Sequence, residues 1–111
     1  MEITLSLVRE IPVLRLSGRL DVTSSPMLEE RLKPLLGEGG TRLVFDCSGL
    51  DYVSSAGLRV FLLASRQLKG RGGGVAFAAL SSPVRELFQL AGLEELFPVA
   101  GNAEGAAALP G

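Results

Sequence analysis

Ile3, Leu5 and Leu7 alternate with Thr4 and Ser6, the period-two pattern of a strand with one buried face. Arg9-Glu10 breaks the pattern and Val13-Leu14-Arg15-Leu16 resumes it as far as Gly18, so the chain opens with a predicted antiparallel hairpin. Pro12 has no amide to give to a ladder and belongs at the start of the second strand. Ser24-Ser25-Pro26 starts a helix, a hydroxyl cap followed by a proline whose missing N–H costs nothing in the first turn. Leu28, Leu32, Leu35 and Leu36 share one face of that helix. Pro34 is expected to kink or fray it near Lys33, and residues 37–40 to end it.

The middle of the chain changes character. Leu43-Val44-Phe45 is an unbroken apolar run, which suits a central strand buried on both faces, with Asp46 closing it. A second helix begins at Ser54 or Ser55. It carries Leu58, Phe61, Leu62 and Leu68 on one stripe, and Val60 and Leu63 on another. A helix apolar around so much of its circumference is either wedged deep or covered by a partner. Residues 70–74 read as a glycine-rich loop and residues 75–80 as a fourth strand. Ser82-Pro83 repeats the cap-then-proline signal for a third helix, with Val84, Leu87, Phe88 and Ala91 inward and Gly92 as its stop. Residues 96–99 suit a short edge strand. The stretch from Gly101 is rich in alanine and glycine, a weak final helix or a ragged tail.

Strands alternating with helices imply parallel crossovers. The expected fold is therefore α/β: a mixed sheet of four to five strands, antiparallel at its start and parallel after, with three to four helices. At 111 residues the chain is expected to be one domain, its core about residues 2–100 and residues 101–111 peripheral. There are no internal repeats and no linker.

Composition narrows the chemistry. Eleven Lys+Arg balance twelve Asp+Glu for a net charge of −1, so no basic surplus points to nucleic acid or an anionic membrane. The absence of histidine removes imidazole acid/base work, the serine–histidine dyad and the His-ligated metal site. A single cysteine, Cys47, makes no internal disulfide and has no second thiol with which to hold zinc. No apolar run approaches the roughly 18 residues of a membrane span, and no basic region with a following apolar stretch opens the chain. These bounds lead us to expect a cytoplasmic protein poorly equipped for catalysis, with no cofactor and no metal.

Three motifs invite chemistry. The glycines of residues 70–74 follow a helix and precede a strand, the reverse of a phosphate-cradling loop, so a plain surface turn is the better reading. Asp21, Asp46 and Asp51 invite a metal or an acid/base pair, but too few ligands are in view for one; Asp46 and Asp21 also suit turn-capping roles. Ser54-Ser55-Ala56-Gly57-Leu58 is the most informative segment. Its serines stand where the N–H groups of a new helix lack partners, which suits an ordinary N-cap. The same position suits a phosphorylation switch, because a helix N-terminus tolerates the negative charge of a phosphoserine.

The order of these parts resembles the STAS family, typified by anti-sigma factor antagonists. Gly18-Arg19-Leu20-Asp21 resembles its early acidic motif. Residues 43–50 and then Asp51-Tyr52-Val53-Ser54-Ser55-Ala56-Gly57-Leu58-Arg59 resemble its central strand and switch helix. Leu90-Ala91-Gly92-Leu93 followed by Leu96-Phe97 resembles its C-terminal third. The resemblance implies a binding protein rather than an enzyme. Its unphosphorylated form would take up a serine-kinase anti-sigma factor and release the sigma factor. Phosphorylation of the switch-helix serine would end that interaction, and a serine phosphatase would reset it. Aligned on Gly57-Leu58, the acceptor falls on Ser55, with Ser54 as the alternative. Ser54 stands where aspartate is common in the family, and Ala56 where serine or threonine is. The implied docking residues are Asp21, Val22 and Thr23 from one loop and Ser54, Ser55, Leu58 and Arg59 around the helix start; Val22 and Leu58 are anchors or plain core. The alternative within the family is a constitutive interaction subunit that regulates a transporter or a signalling scaffold.

Overall fold

The computed structural model describes residues 1–37 and 42–109. Strand β1 (Glu2–Val8) turns into β2 (Ile11–Leu20) through Arg9 and Glu10. Both turn residues have positive φ, 53° and 67°, as the two-residue hairpin that matches strand twist requires. Helix α1 (Ser25–Gly37), strand β3 (Arg42–Val53) and helix α2 (Ser55–Lys69) follow. Strand β4 (Gly74–Ala78), helix α3 (Ser82–Leu90), the two-residue strand β5 (Val99–Ala100) and helix α4 (Ala103–Ala108) complete the order. The five strands lie in one sheet in sequence order. β1 is antiparallel to β2, and every later pairing is parallel. The expected mixed α/β sheet is present, at the upper end of the expected counts.

The two faces of the sheet are covered differently. Leu14, Leu16, Phe45 and Phe77 face Leu28 and Leu32 of α1, Val60, Phe61 and Leu68 of α2, and Val84 and Phe88 of α3 in one large core. Phenylalanine rings form its centre: Phe77 lies 4.9 Å from Phe61 and 5.0 Å from both Phe88 and Phe97, centroid to centroid. Edge-to-face and tilted pairs at these distances add to the burial itself. On the other face, Val13, Val44, Ala76 and Ala78 meet Ala106 and Ala107 of α4. Cys47 is fully buried in the larger core, and that burial pushes its thiol pKa far up, so it is a small core residue rather than a nucleophile.

Several expectations change on contact with the tertiary structure. Leu5 and Leu7 are not on a buried face: they are 48% and 68% exposed, because β1 runs past the edge of the helix layer. α1 continues without a break through Pro34 to Gly37; the rest of its expected stop lies outside the described residues. β3 extends to Val53, so Asp46 sits within the strand instead of closing it, and Asp51 and Tyr52 lie in it too. That extension is imposed by pairing, with Ser17 opposite Gly49, Arg19 opposite Tyr52 and Leu20 opposite Val53. β4 stops at Ala78, and Ala79 takes a φ of 56° that ends it. Ala91 is exposed rather than inward. The segment after Gly101 is a helix with two buried alanines, tied by a hydrogen bond from the Arg42 guanidinium to the Leu109 carbonyl.

Candidate functional site

Two chain segments meet at the carboxyl ends of β2 and β3. The first is the turn after β2. Asp21 Oδ1 accepts from the backbone N–H groups of Thr23 and Ser24, each at 3.0 Å, closing an Asx turn. Ser24 Oγ accepts from Asp21 N–H at 2.9 Å and donates to the Arg19 carbonyl at 2.7 Å. Ser24 therefore fastens the turn to β2 rather than serving as the expected helix cap. The Ser24 backbone N–H is the largest influence on the Asp21 carboxyl and holds its pKa below the ordinary value of 3.8, against a smaller opposing effect of desolvation. Because the folded-state pKa is lowered, the stability this group adds is present above the ordinary value. It is lost as pH falls through the folded-state value. Asp21→Asn keeps an accepting Oδ1 and cannot titrate. Its Tm is expected to fall less steeply than wild type over roughly pH 5 to 3, measured by circular dichroism melts; parallel curves would show that the carboxylate charge plays no part.

The second segment is the start of α2. Ser54 is its N-cap, with φ −85° and ψ 173°, and its side chain accepts from Gly57 N–H at 3.3 Å. Its own N–H donates to the Leu20 carbonyl at 2.8 Å, which anchors the helix start to the end of β2. Gly57 makes this approach possible. A Cβ there would stand 2.7 Å from Leu20 Cγ and 3.1 Å from the Leu20 carbonyl oxygen, and Leu20 is fully buried. Behind the cap, the Arg19 guanidinium lies 4.2 Å over the exposed Tyr52 ring, a cation–π contact that braces the two strand ends.

Ser55 is the first residue of α2 and is exposed. Unlike Ser54, its hydroxyl makes no hydrogen bond among the described residues. Gly57 N–H is satisfied by Ser54 Oγ and Leu58 N–H by the Ser54 carbonyl, which leaves the Ser55 and Ala56 amides at the open helix mouth. Three shallow depressions converge on Ser55. One continues to Val22, Pro26, Glu29 and Arg59. A second runs along α2 past Leu58, Arg59, Leu62, Leu63 and Arg66. The third passes Ser54, Asp51 and Tyr52 to Glu86, Leu87 and Leu90 of α3.

The sequence-predicted residues are therefore partly gathered. Val22, Ser55 and Arg59 line one depression, and Val22 at 74% exposure is no core residue. Leu58 is half-buried between the core and the α2 groove. Thr23 is exposed on the neighbouring turn, and Asp21 is half-buried behind it. Sequence reasoning missed Leu62, Leu63 and Leu90 as surface groups. Leu62 and Leu63, assigned to apolar stripes, are 39% and 37% exposed, and Leu90 is 88% exposed. The signal was present in the breadth of the apolar surface on α2: Val60, Phe61 and Leu68 are buried, while Leu62 and Leu63 stay at the surface. No group of three or more candidate metal ligands occurs among the described residues, and none of their helices is long and apolar enough to cross a membrane.

The family model for the Mlab, STAS domain matches residues 3–98. The chain belongs to the STAS domain family. Among curated relatives, this STAS domain is 37% identical over 108 residues to BtrV of Bordetella bronchiseptica, whose name carries a provisional anti-sigma factor antagonist role; the match covers 97% of this chain and 93% of the relative. It is 33% identical over 90 residues to the anti-sigma-B factor antagonist of Bacillus subtilis, covering 81% of this chain and 82% of that one. Its fold is that of the anti-sigma factor antagonist SpoIIAA in its unphosphorylated form, with a TM-score of 0.83 at 24% identity over 96% of this chain and 93% of the other. SpoIIAA from Bacillus in its phosphorylated form matches the same fold with a TM-score of 0.76, at 24% identity over 96% of both chains.

Proposed function

We propose that this STAS domain is an anti-sigma factor antagonist switched by phosphorylation of Ser55. In the unphosphorylated state it docks a serine-kinase anti-sigma factor in the cytoplasm, and the sigma factor is released. The observation that carries the site choice is the division of labour between adjacent serines. Ser54 Oγ is held by the Gly57 N–H, whereas Ser55 is exposed and its hydroxyl is unengaged among the described residues. A kinase needs a hydroxyl that can turn toward the γ-phosphate, and Ser54 would have to give up its cap, worth about 1 kcal/mol, to do so.

The chain is substrate, not catalyst. The kinase brings ATP, magnesium and the base that takes the hydroxyl proton; Ser55 Oγ forms the new bond to phosphorus and ADP departs. The product carries about −1.5 to −2 charges at a helix mouth whose N–H groups and dipole favour an anion. Arg59, one turn on, lines two depressions with Ser55 and is placed to pair with the phosphate. The fold therefore tolerates the modification, while an interface formed over Val22, Ser55 and Leu58 would have to desolvate a dianion, which costs several kcal/mol if it is unpaired. Docking is thereby lost without unfolding. A serine phosphatase returns the neutral surface.

Incubation with the cognate kinase and ATP, followed by peptide mass spectrometry, is expected to place one phosphate on Ser55 and none on Ser54. Ser55→Ala should abolish incorporation and keep binding to the kinase. Phosphate on Ser54, or an undiminished rate in Ser55→Ala, would overturn the assignment.

A further inference from the structure

The first edge of the sheet is open. Arg9 and Glu10 form a two-residue turn, so Val8 and Ile11 are the hydrogen-bonded pair that closes it. Alternation along an antiparallel ladder then directs the amides and carbonyls of Thr4 and Ser6 toward β2. Those of Ile3, Leu5 and Leu7 point away from the sheet. The position of Arg31 agrees: its Nη1 donates to the Ile3 carbonyl at 3.1 Å, from outside the ladder. The strand order starts at β1, so no strand among the described residues takes up this outward row.

Edges of this kind are normally guarded by charge, proline or a bulge. Ile3-Thr4-Leu5-Ser6-Leu7 itself carries none of these, and its pairing with β2 runs without a register shift; the charge at this edge comes from Arg31 of α1, which covers the Ile3 carbonyl and leaves Leu5 and Leu7 uncovered. Leu5 and Leu7, at 48% and 68% exposure, add apolar surface along the same edge. The run is also close to symmetric about its centre, apolar residues alternating with hydroxyls in both directions.

We propose that β1 is a self-association edge, on which a second copy of this chain pairs antiparallel about a two-fold axis through Leu5. In that register Leu5 faces Leu5 of the other copy and Ile3 faces Leu7, so each outward N–H meets an outward carbonyl, the exposed Arg31 side chain giving up the Ile3 carbonyl to the Leu7 N–H of the other copy. The leucines pack across the seam on one face, and Thr4 meets Ser6 on the other, pairings that favour a ladder. An isologous contact needs a surface complementary to itself, and this alternation supplies one. A heterologous strand would have no such requirement for symmetry. No like charges face each other within the paired run. α2, which begins at Ser55, packs against β3 and β4, and β3 lies two strands in from the pairing edge.

Sedimentation equilibrium of the full chain from micromolar to millimolar concentration is expected to show a monomer–dimer equilibrium. Leu5→Pro removes one outward amide and leaves the ladder to β2 intact; Leu5→Lys sets like charges across the axis. Both variants should remain monomeric over the same range. Amide hydrogen exchange should slow at Ile3, Leu5 and Leu7 as the wild-type concentration rises, and stay constant in Leu5→Lys. A wild type that is monomeric throughout, a dimer that survives in a folded Leu5→Lys protein, or concentration-independent exchange at Leu5 would each overturn the proposal.

Discussion

Phe77→Ala is expected to destabilise the domain by about 3–5 kcal/mol, the range for removing a fully buried phenylalanine. Phe77 is 0% exposed, and its ring meets Phe45 at 5.4 Å, Phe61 at 4.9 Å, and Phe88 and Phe97 at 5.0 Å. These neighbours come from β3, α2, α3 and the segment before β5, so the vacated volume borders four parts of the fold that would all have to move to fill it. Against a domain stability of about 5–15 kcal/mol, such a loss is a large fraction. Phe77→Leu is expected to lose less, since it retains most of the buried hydrocarbon. Urea unfolding checks both: the midpoint should drop in that order with an unchanged slope. A Phe77→Ala protein within about 1 kcal/mol of wild type would show that the helix layer collapses onto the gap at little cost.

Gly57→Val carries the second large effect, and its sign is the informative part. Replacing a helical glycine by a residue with a side chain usually stabilises, by up to about 1 kcal/mol for alanine. Here the first added carbon would lie 2.7 Å and 2.8 Å from Leu20 Cγ and Cδ2 and 3.1 Å from the Leu20 carbonyl oxygen. The carbonyl is fixed by the Ser54 N–H, and the Leu20 side chain is fully enclosed. Overpacking of this kind costs about 1–3 kcal/mol, so Gly57→Ala is expected to destabilise despite its better propensity. Gly57→Val should do so by more. Because the relief available is to lift the start of α2 off β2, the same variants are expected to slow phosphorylation at Ser55 at temperatures where they remain folded. Equilibrium unfolding together with initial phosphorylation rates tests this; a Gly57→Ala protein more stable than wild type would refute the close approach.

The order of elements was legible along the chain because each carries a local signal: alternation in the hairpin, helical spacing of leucines, and serine–proline starts. The candidate serine was legible too, since a hydroxyl before Ala56-Gly57-Leu58 marks a helix start and a family resemblance at once. Which of the two serines is available was not. That depends on Ser54 Oγ turning inward to the Gly57 N–H, a choice that follows from how the end of β2 receives the helix.

The extension of β3 shows the same division. Asp46 reads as the close of a strand, yet pairing with β2 carries the ladder on through Gly49, Leu50 and Tyr52 to Val53, because a partner ladder outweighs weak intrinsic preference. The alanine-rich tail has too little apolar bulk to announce a helix. It folds because Val13, Val44, Ala76 and Ala78 leave a second sheet face for Ala106 and Ala107 to cover. Local pattern thus determined the sequence of strands and helices, the absence of histidine chemistry and the neighbourhood of the candidate serines. Tertiary packing decided which apolar residues stay at the surface, Leu62, Leu63 and Leu90 near Ser55 and Leu5 and Leu7 on the open edge. Periodicity reports that a residue is apolar, whereas exposure is set by whatever the rest of the chain places above it.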